Sequence, residues 1–99
     1  MIIKIHKGAD GSKVIAVCDS DILGKRFEEK SLQLDLASNF YRGEEKDGKF
    51  LLDEIRKRPC HLNVVGKKSV DFCMKNGMII KDHIILIKKV PHAQAIITE

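Results

Sequence analysis

The chain has 99 residues and a formal net charge of +4, with 43% hydrophobic and 32% charged residues. This length supports one domain over residues 1–99, and the composition excludes a disordered tail. No apolar run reaches the roughly 18 residues that a transmembrane helix needs, and residues 1–5 lack the pattern of an export signal. We therefore expect a cytoplasmic protein that does not enter a membrane.

Hydrophobic periodicity in the first half of the chain predicts strands. Within residues 1–7, Ile3 and Ile5 alternate with Lys4 and His6, and residues 13–18 form a run that is apolar and rich in β-branched side chains after Lys13. We expect these two strands to form an antiparallel hairpin, because the glycine-containing loop between them suits a turn. The segments that follow are expected to be a short turn at 20–23, a charged surface segment at 25–30, a strand at 32–36 and an irregular loop at 38–43.

The second half adds helical periodicity. A helix is predicted from Lys49, with Asp47 as its N-cap and Pro59 as its stop. The later elements are expected to be a strand at 61–65, a helix after Gly66 that Asn76 and Gly77 close, a strand at 84–87, a turn at 90–92 and a strand at 94–97. Together they predict an α+β domain with a mixed, mainly antiparallel sheet of five or six strands and two main helices.

Positive charge is concentrated in the second half. Residues 1–54 contain nine Lys and Arg against eleven Asp and Glu, a net charge of −2, whereas residues 55–99 contain nine against three, a net charge of +6. If helix and strand ends meet on one side, their cations would form a surface that attracts phosphate. The residues predicted to contact RNA are Arg56, Lys57, Arg58, Lys67, Lys68, Lys88 and Lys89.

Metal and cofactor motifs are not found. The four histidines lack the short spacings of zinc sites, and the segment after Val65 has a single glycine rather than a phosphate-binding fingerprint. The sequence thus predicts neither a metal nor a cofactor, and it favours a structural turn at Gly66. We expect Cys18 and Cys73 to be small buried side chains, while Cys60 lies among cations that would favour a thiolate.

Six segments, taken in order, resemble an archaeal family known as domain of unknown function 424. They are residues 16–19, 23–29, 32–35, 40–44, 63–66 and 90–94. The resemblance implies an archaeal, cytoplasmic, stand-alone α/β protein, and no established activity comes with it. It also marks a characteristic polar set consisting of Lys25, Arg26, Glu28, Tyr41, His92 and Gln94.

Three functions remain open from the sequence. The first is a small accessory protein that binds RNA, a ribosomal particle or another part of the translation machinery through its basic second half. The second is a small enzyme or ligand-binding domain around His92, Lys25, Arg26 and Cys18, with Asp19 or Asp35 orienting the histidine. The third is a protein-interaction module or homodimer. The chain has no catalytic signature, so a role other than catalysis is favoured.

Overall fold

Ten regular elements are found in the computed structural model, which describes residues 1–57 and 59–98. The two α-helices are α1, Gly48–Arg56, and α2, Lys67–Lys75. The strands are β1, Ile2–Lys7; β2, Lys13–Cys18; β3, Arg26–Glu29; β4, Leu32–Asp35; β5, Glu44–Glu45; β6, Cys60–Val65; β7, Ile85–Ile87; and β8, Val90–Ile97. Three single-turn 3-10 helices are Ser20–Ile22, Asn39–Tyr41 and Lys81–His83.

Six strands form the main sheet in the order β5-β1-β2-β6-β8-β7, and β3 pairs with β4 in a separate hairpin. Only β2 and β6 run parallel within the described sheet, while its other neighbours are antiparallel. The predicted β1–β2 hairpin is confirmed, with Ile5 opposite Ile15. The expected α+β fold, with two helices and a mixed, mainly antiparallel sheet, is confirmed as well.

The two faces of the sheet are covered by different elements. Both helices pack on one face, where Val17 and Val64 meet Leu51 and Ile55 of α1 and Cys73 of α2. Alternate residues of the same strands point to the opposite face because side chains along a strand alternate. We call this opposite surface the hairpin face, since the β3–β4 hairpin packs on part of it.

The core of the hairpin face is smaller. Cys18 and Val65 at the ends of β2 and β6 contact Leu34 of the hairpin, Leu36 just beyond it and Tyr41 of the loop that follows. This cover lies over the carboxyl ends of the two parallel strands. The part of the hairpin face that the hairpin leaves uncovered therefore lies near the amino ends of β2 and β6.

The local signals for both helices are confirmed. The Asp47 side chain accepts a hydrogen bond from the backbone N–H of Phe50 at 2.9 Å, which caps α1. Helix α2 ends at Lys75 with Asn76 as its C-cap, and Gly77 follows with a φ of 75°.

One local expectation is incomplete and another is wrong. The charged segment 25–30 is mostly exposed, as expected, but it also contains strand β3, Arg26–Glu29, which was not predicted. The turn expected at 90–92 lies earlier, at Lys88 and Lys89, which both have positive φ, and β8 begins at Val90. Pro91 fits this strand because pairing with β6 starts one residue later, so its missing N–H removes no bond to β6.

Candidate functional site

The predicted basic residues divide between two edges of the sheet. Arg56 and Lys57 end α1 and lie at the amino end of β6, while Arg58 lies outside the described residues. Both described cations are exposed, and both have acidic partners. The Arg56 guanidinium lies 3.3 Å from an Asp53 carboxylate oxygen, and Lys57 Nζ lies 3.1 Å from a Glu54 carboxylate oxygen.

Four lysines lie at the opposite edge. Lys67 and Lys68 follow the carboxyl end of β6, and Lys88 and Lys89 form the turn that leads into β8. These segments meet because β8 runs antiparallel to β6, with its third residue opposite Val65. The six residues of β6 separate this edge from Arg56 by roughly 17 Å. The end of α1 and the lysines at the carboxyl end of β6 therefore do not meet on one side, so the condition for a single basic surface is not fulfilled.

We call these four residues the lysine edge. All four side chains are exposed, and none forms an ion pair with another residue in the described part of the chain. The backbone N–H of Lys88 donates to a Glu29 carboxylate oxygen at 2.9 Å, which fixes the turn to the hairpin without neutralising the lysine side chain by direct contact. The lysine edge thus differs from the paired cations at the end of α1.

A cleft of about 280 Å³ opens at the lysine edge. It lies at the carboxyl ends of β2 and β6, where the chain leaves β2 towards the hairpin and leaves β6 towards α2 on the other face. Such a divergence commonly creates a ligand crevice in sheets with parallel strands. The cleft is lined by Asp19, Asp21, Ile22, Gly66, Lys67, Lys68, Val90 and Pro91.

Asp19 occupies the amino end of α2. Its carboxylate accepts from the backbone N–H of Lys68 at 3.0 Å, from the backbone N–H of Ser69 at 2.7 Å and from the Ser69 hydroxyl at 2.6 Å. Asp19 is 6% exposed, and Gly66 beside it has a φ of 109°. These two helix amides are already satisfied, so Gly66 is the structural turn that the sequence favours.

A polar layer lies between the hairpin and the open part of the sheet. The Tyr41 hydroxyl donates to Asn63 Oδ1 at 2.7 Å, and Gln94 lies directly opposite Asn63 on β8. His92 is 8% exposed, and its Nδ1 lies 3.0 Å from the Val64 carbonyl, which assigns the proton to Nδ1. Burial lowers the pKa of His92, against a smaller raising effect of that hydrogen bond.

The structure thus brings together half of the characteristic polar set. Tyr41, His92 and Gln94 share this layer, together with Asn63, which the sequence analysis missed. A polar amide within the otherwise apolar 62–65 run was the available signal.

The other half of that set lies on β3 or just before it. Arg26 pairs with Asp35 of β4 at 3.2 Å, and Glu28 is exposed on β3. Among the described residues, no hydrogen bond or ion pair joins Lys25 or Arg26 to His92. The two segments therefore do not form one bonded polar site.

The catalytic arrangement considered from the sequence is not present. Cys18 is fully buried, and burial, followed by the charges of Asp19 and Asp21, raises the pKa of its thiol to about 12. A neutral thiol is a weak nucleophile. His92 is buried rather than exposed in a turn, and the Asp35 carboxylate bonds to Arg26 instead.

The remaining thiols also lie in the core. Cys60 and Cys73 are buried on the helix side of the sheet, and burial raises the pKa of Cys73 to about 12. The exposure expected of a reactive Cys60 is thus not found. In the described ranges, no group of three or more His, Cys, Asp or Glu side chains could hold a metal ion. The same residues include no helix with the length and apolarity required to cross a membrane.

Comparisons with known proteins agree with the resemblance seen in the sequence. No curated protein matches the chain. Among solved structures, it is similar to an uncharacterized conserved protein from Methanopyrus kandleri, with 26% sequence identity and a TM-score of 0.80 over 98% of this chain and 90% of that chain. The family described as protein of unknown function (DUF424) matches residues 6–97. The chain therefore belongs to the DUF424 family.

Proposed function

We propose that the protein binds RNA through phosphate contacts at the lysine edge. The observation that carries this proposal is the grouping of four exposed lysines from two distant parts of the chain, none of them in an ion pair within the described residues. Lysine ammonium groups donate strong, charge-assisted hydrogen bonds to phosphate oxygens. Such phosphate contacts supply most of the non-specific affinity for nucleic acids.

The charge balance supports the same reading. The chain carries a formal net charge of +4, and this favours association with a polyanion. Arg56 and Lys57 are less suitable because each already forms an ion pair, with Asp53 and Glu54 respectively. The proposed contact residues are therefore Lys67, Lys68, Lys88 and Lys89 rather than the full basic set of the second half.

Removing two lysines from the edge should reduce the salt dependence of RNA binding. With about four phosphate contacts, the lysine edge should contribute about −3 to the slope of log affinity against log salt on single-stranded RNA, and this contribution should fall to about −1.5 in Lys67→Ala/Lys68→Ala. The measurement is fluorescence anisotropy with a labelled oligonucleotide at several salt concentrations.

The matched control is Arg56→Ala/Lys57→Ala, which removes the same charge from the opposite edge and should leave the slope within about 0.5 of the wild-type value.

In lysate, wild type and control should sediment with ribosomal particles at low salt and leave them at high salt. Salt-independent affinity, or equal effects of the two double variants, would contradict the proposal.

Self-association is a second candidate function, and a separate observation favours it. Strand β7 is an edge of the main sheet, and Ile85 and Leu86 on it are 45% and 59% exposed. Ile96 of β8 is 69% exposed. Exposed apolar side chains beside an open strand edge suit pairing with a second chain.

Light scattering tests this second candidate. A dimer should form at high protein concentration, and Leu86→Lys should shift it to monomer because a buried charge at the interface is unfavourable. The control is Leu32→Lys, which places the same charge at another exposed leucine. A monomer at every concentration would rule out the dimer.

A further inference from the structure

The hairpin face has an open groove beside the polar layer. The β3–β4 hairpin covers the carboxyl ends of β2 and β6, whereas Val14, His61 and Ile96 form a cross-strand row nearer the amino ends. His61 and Ile96 are exposed there. A groove of about 420 Å³ lies over this row, bordered by Phe40 on one side and the β8 side chains on the other.

Phe40 is held in place by its neighbours. Its ring stacks on the His6 ring with the centroids 4.7 Å apart and an interplanar angle of 10°. His6 Nε2 lies 2.9 Å from the Phe40 carbonyl oxygen, so the imidazole can donate to the same residue on which it stacks. The Tyr41 ring meets Phe40 edge-on at 5.0 Å. The aromatic wall of the groove is thus preorganised, and its ordering costs little on binding.

Positive charge adjoins this wall. A second cleft of about 530 Å³ shares Phe40 with this groove and is lined also by Lys4, His6, Asn39 and Arg42. No carboxylate lines either cleft among the described residues, and neither Lys4 nor Arg42 forms an ion pair there. The aromatic wall is therefore flanked by two cations that form no ion pair among the described residues, which complements a phosphate backbone.

The floor of the groove presents two amides side by side. Asn63 and Gln94 are registered opposite each other, so their Cα atoms are about 5 Å apart. Tyr41 holds Asn63 Oδ1, which leaves the Asn63 NH₂ group as a donor. Gln94 Nε2 lies 3.5 Å from His92 Nε2, which leaves Gln94 Oε1 as an acceptor. A neighbouring donor and acceptor match the hydrogen-bonding edge of a nucleobase.

We propose that this groove binds an unstacked base of single-stranded RNA, an inference that rests on the proposed RNA-binding function. The base stacks against Phe40, its edge bonds to Asn63 and Gln94, and the adjacent phosphates contact Lys4 and Arg42. Tyr41 is a positioning residue, since it acts by fixing the Asn63 amide. The groove supplies preference for single strands and for particular bases, whereas the lysine edge supplies phosphate affinity for any RNA.

Fluorescence anisotropy tests this groove. The probes are labelled ten-nucleotide single strands made only of U, only of C or only of A, together with an RNA duplex of the same length. Phe40→Leu keeps an apolar side chain but removes the ring, and it should weaken single-strand binding about tenfold, within the range that stacking of one base provides. Its affinity for the duplex should stay within about twofold of wild type. Phe72→Leu, the same change on the helix side of the sheet, should alter neither affinity by more than about twofold.

Gln94→Leu provides a second variant at an exposed position, so it should fold even if Phe40→Leu does not. It should reduce the differences in affinity among U, C and A to within about twofold, because one of the two base-reading amides is lost, while the salt slope stays unchanged because no charge is removed. Tyr41→Phe should also reduce the differences in affinity among the three oligonucleotides, because the Asn63 amide loses the hydroxyl that fixes its orientation.

The outcomes separate the two proposals. No binding of any RNA by the wild type would overturn both. RNA binding that depends on Lys67 and Lys68, with Phe40→Leu and Gln94→Leu unchanged, would overturn the groove alone. Weaker single-strand binding in Phe40→Leu, with Lys67→Ala/Lys68→Ala unchanged, would support the groove and overturn the lysine edge.

Discussion

Gly66→Ala should lower the free energy of unfolding by about 3 kcal/mol or more. Gly66 has a φ of 109° and a ψ of 152°, a region that is essentially restricted to glycine and costs other residues about 1–3 kcal/mol. A Cβ at this position would also overlap the Asp19 carboxyl group. Moving that carboxylate would break the cap of α2, which is worth a further 1–2 kcal/mol or so. Urea denaturation followed by circular dichroism measures the loss.

Gly24→Ala is the matched control for this prediction. Gly24 also has a positive φ, 89°, but an added Cβ would meet no atom within 4 Å. Gly24→Ala introduces only backbone strain, so the free energy of unfolding should fall by about 1 kcal/mol. If both variants lose the same stability, the contact between Gly66 and Asp19 has no special role.

The protein should lose stability steeply in alkaline solution. Burial raises the pKa values of Cys18, Cys73 and Tyr41 to about 12, from ordinary values of 9.0 for the thiols and 10.0 for the phenol. The unfolded chain releases these protons first. The stabilising contribution is therefore complete below about pH 9 and is lost as the pH rises towards 12. In this window each thiol lowers the free energy of unfolding by about 1.4 kcal/mol per pH unit. The two thiols together lower it by on the order of 4 kcal/mol by about pH 10.5.

Urea denaturation at a series of pH values checks this expectation. Cys73→Ala removes one titrating thiol, so its stability should fall less steeply than that of the wild type, each measured against its own value at pH 7. The sole tyrosine offers an independent readout, since tyrosinate absorbance should appear near pH 10 in urea but should stay low at that pH while the protein is folded. A flat stability profile up to pH 11 would contradict the burial of these groups.

Much of the fold was predictable because its central elements have strong periodicity. The apolar run 13–18 is buried along most of its length, and Asp47 caps α1 as its spacing indicates. The β3–β4 hairpin was only half predictable. The side chains of Arg26, Glu28 and Glu29 are exposed, and only Phe27 of β3 is partly buried, so the alternation carries a single apolar residue.

The candidate site was harder to predict because it depends on pairing between distant segments. A count of charges places nine basic residues in the second half, but it does not say which end of a strand each one occupies. That information comes from the β2–β6 and β6–β8 pairings, which separate Arg56 from Lys67. Asn63 illustrates the same limit, since its importance appears only when Tyr41 and Gln94 are placed beside it.

The parallel pairing of β2 with β6 also determines the order in which the chain can fold. The β1–β2 and β7–β8 hairpins join strands that are near in sequence, but Val14 pairs with His61 across more than forty intervening residues. Loop closure of that length costs entropy before the contacts repay it, so the centre of the sheet should assemble after the local hairpins. The groove on the hairpin face spans this late junction, because Val14 of β2 and His61 of β6 both line it. The groove can therefore bind its ligand only when the last cooperative step of folding is complete.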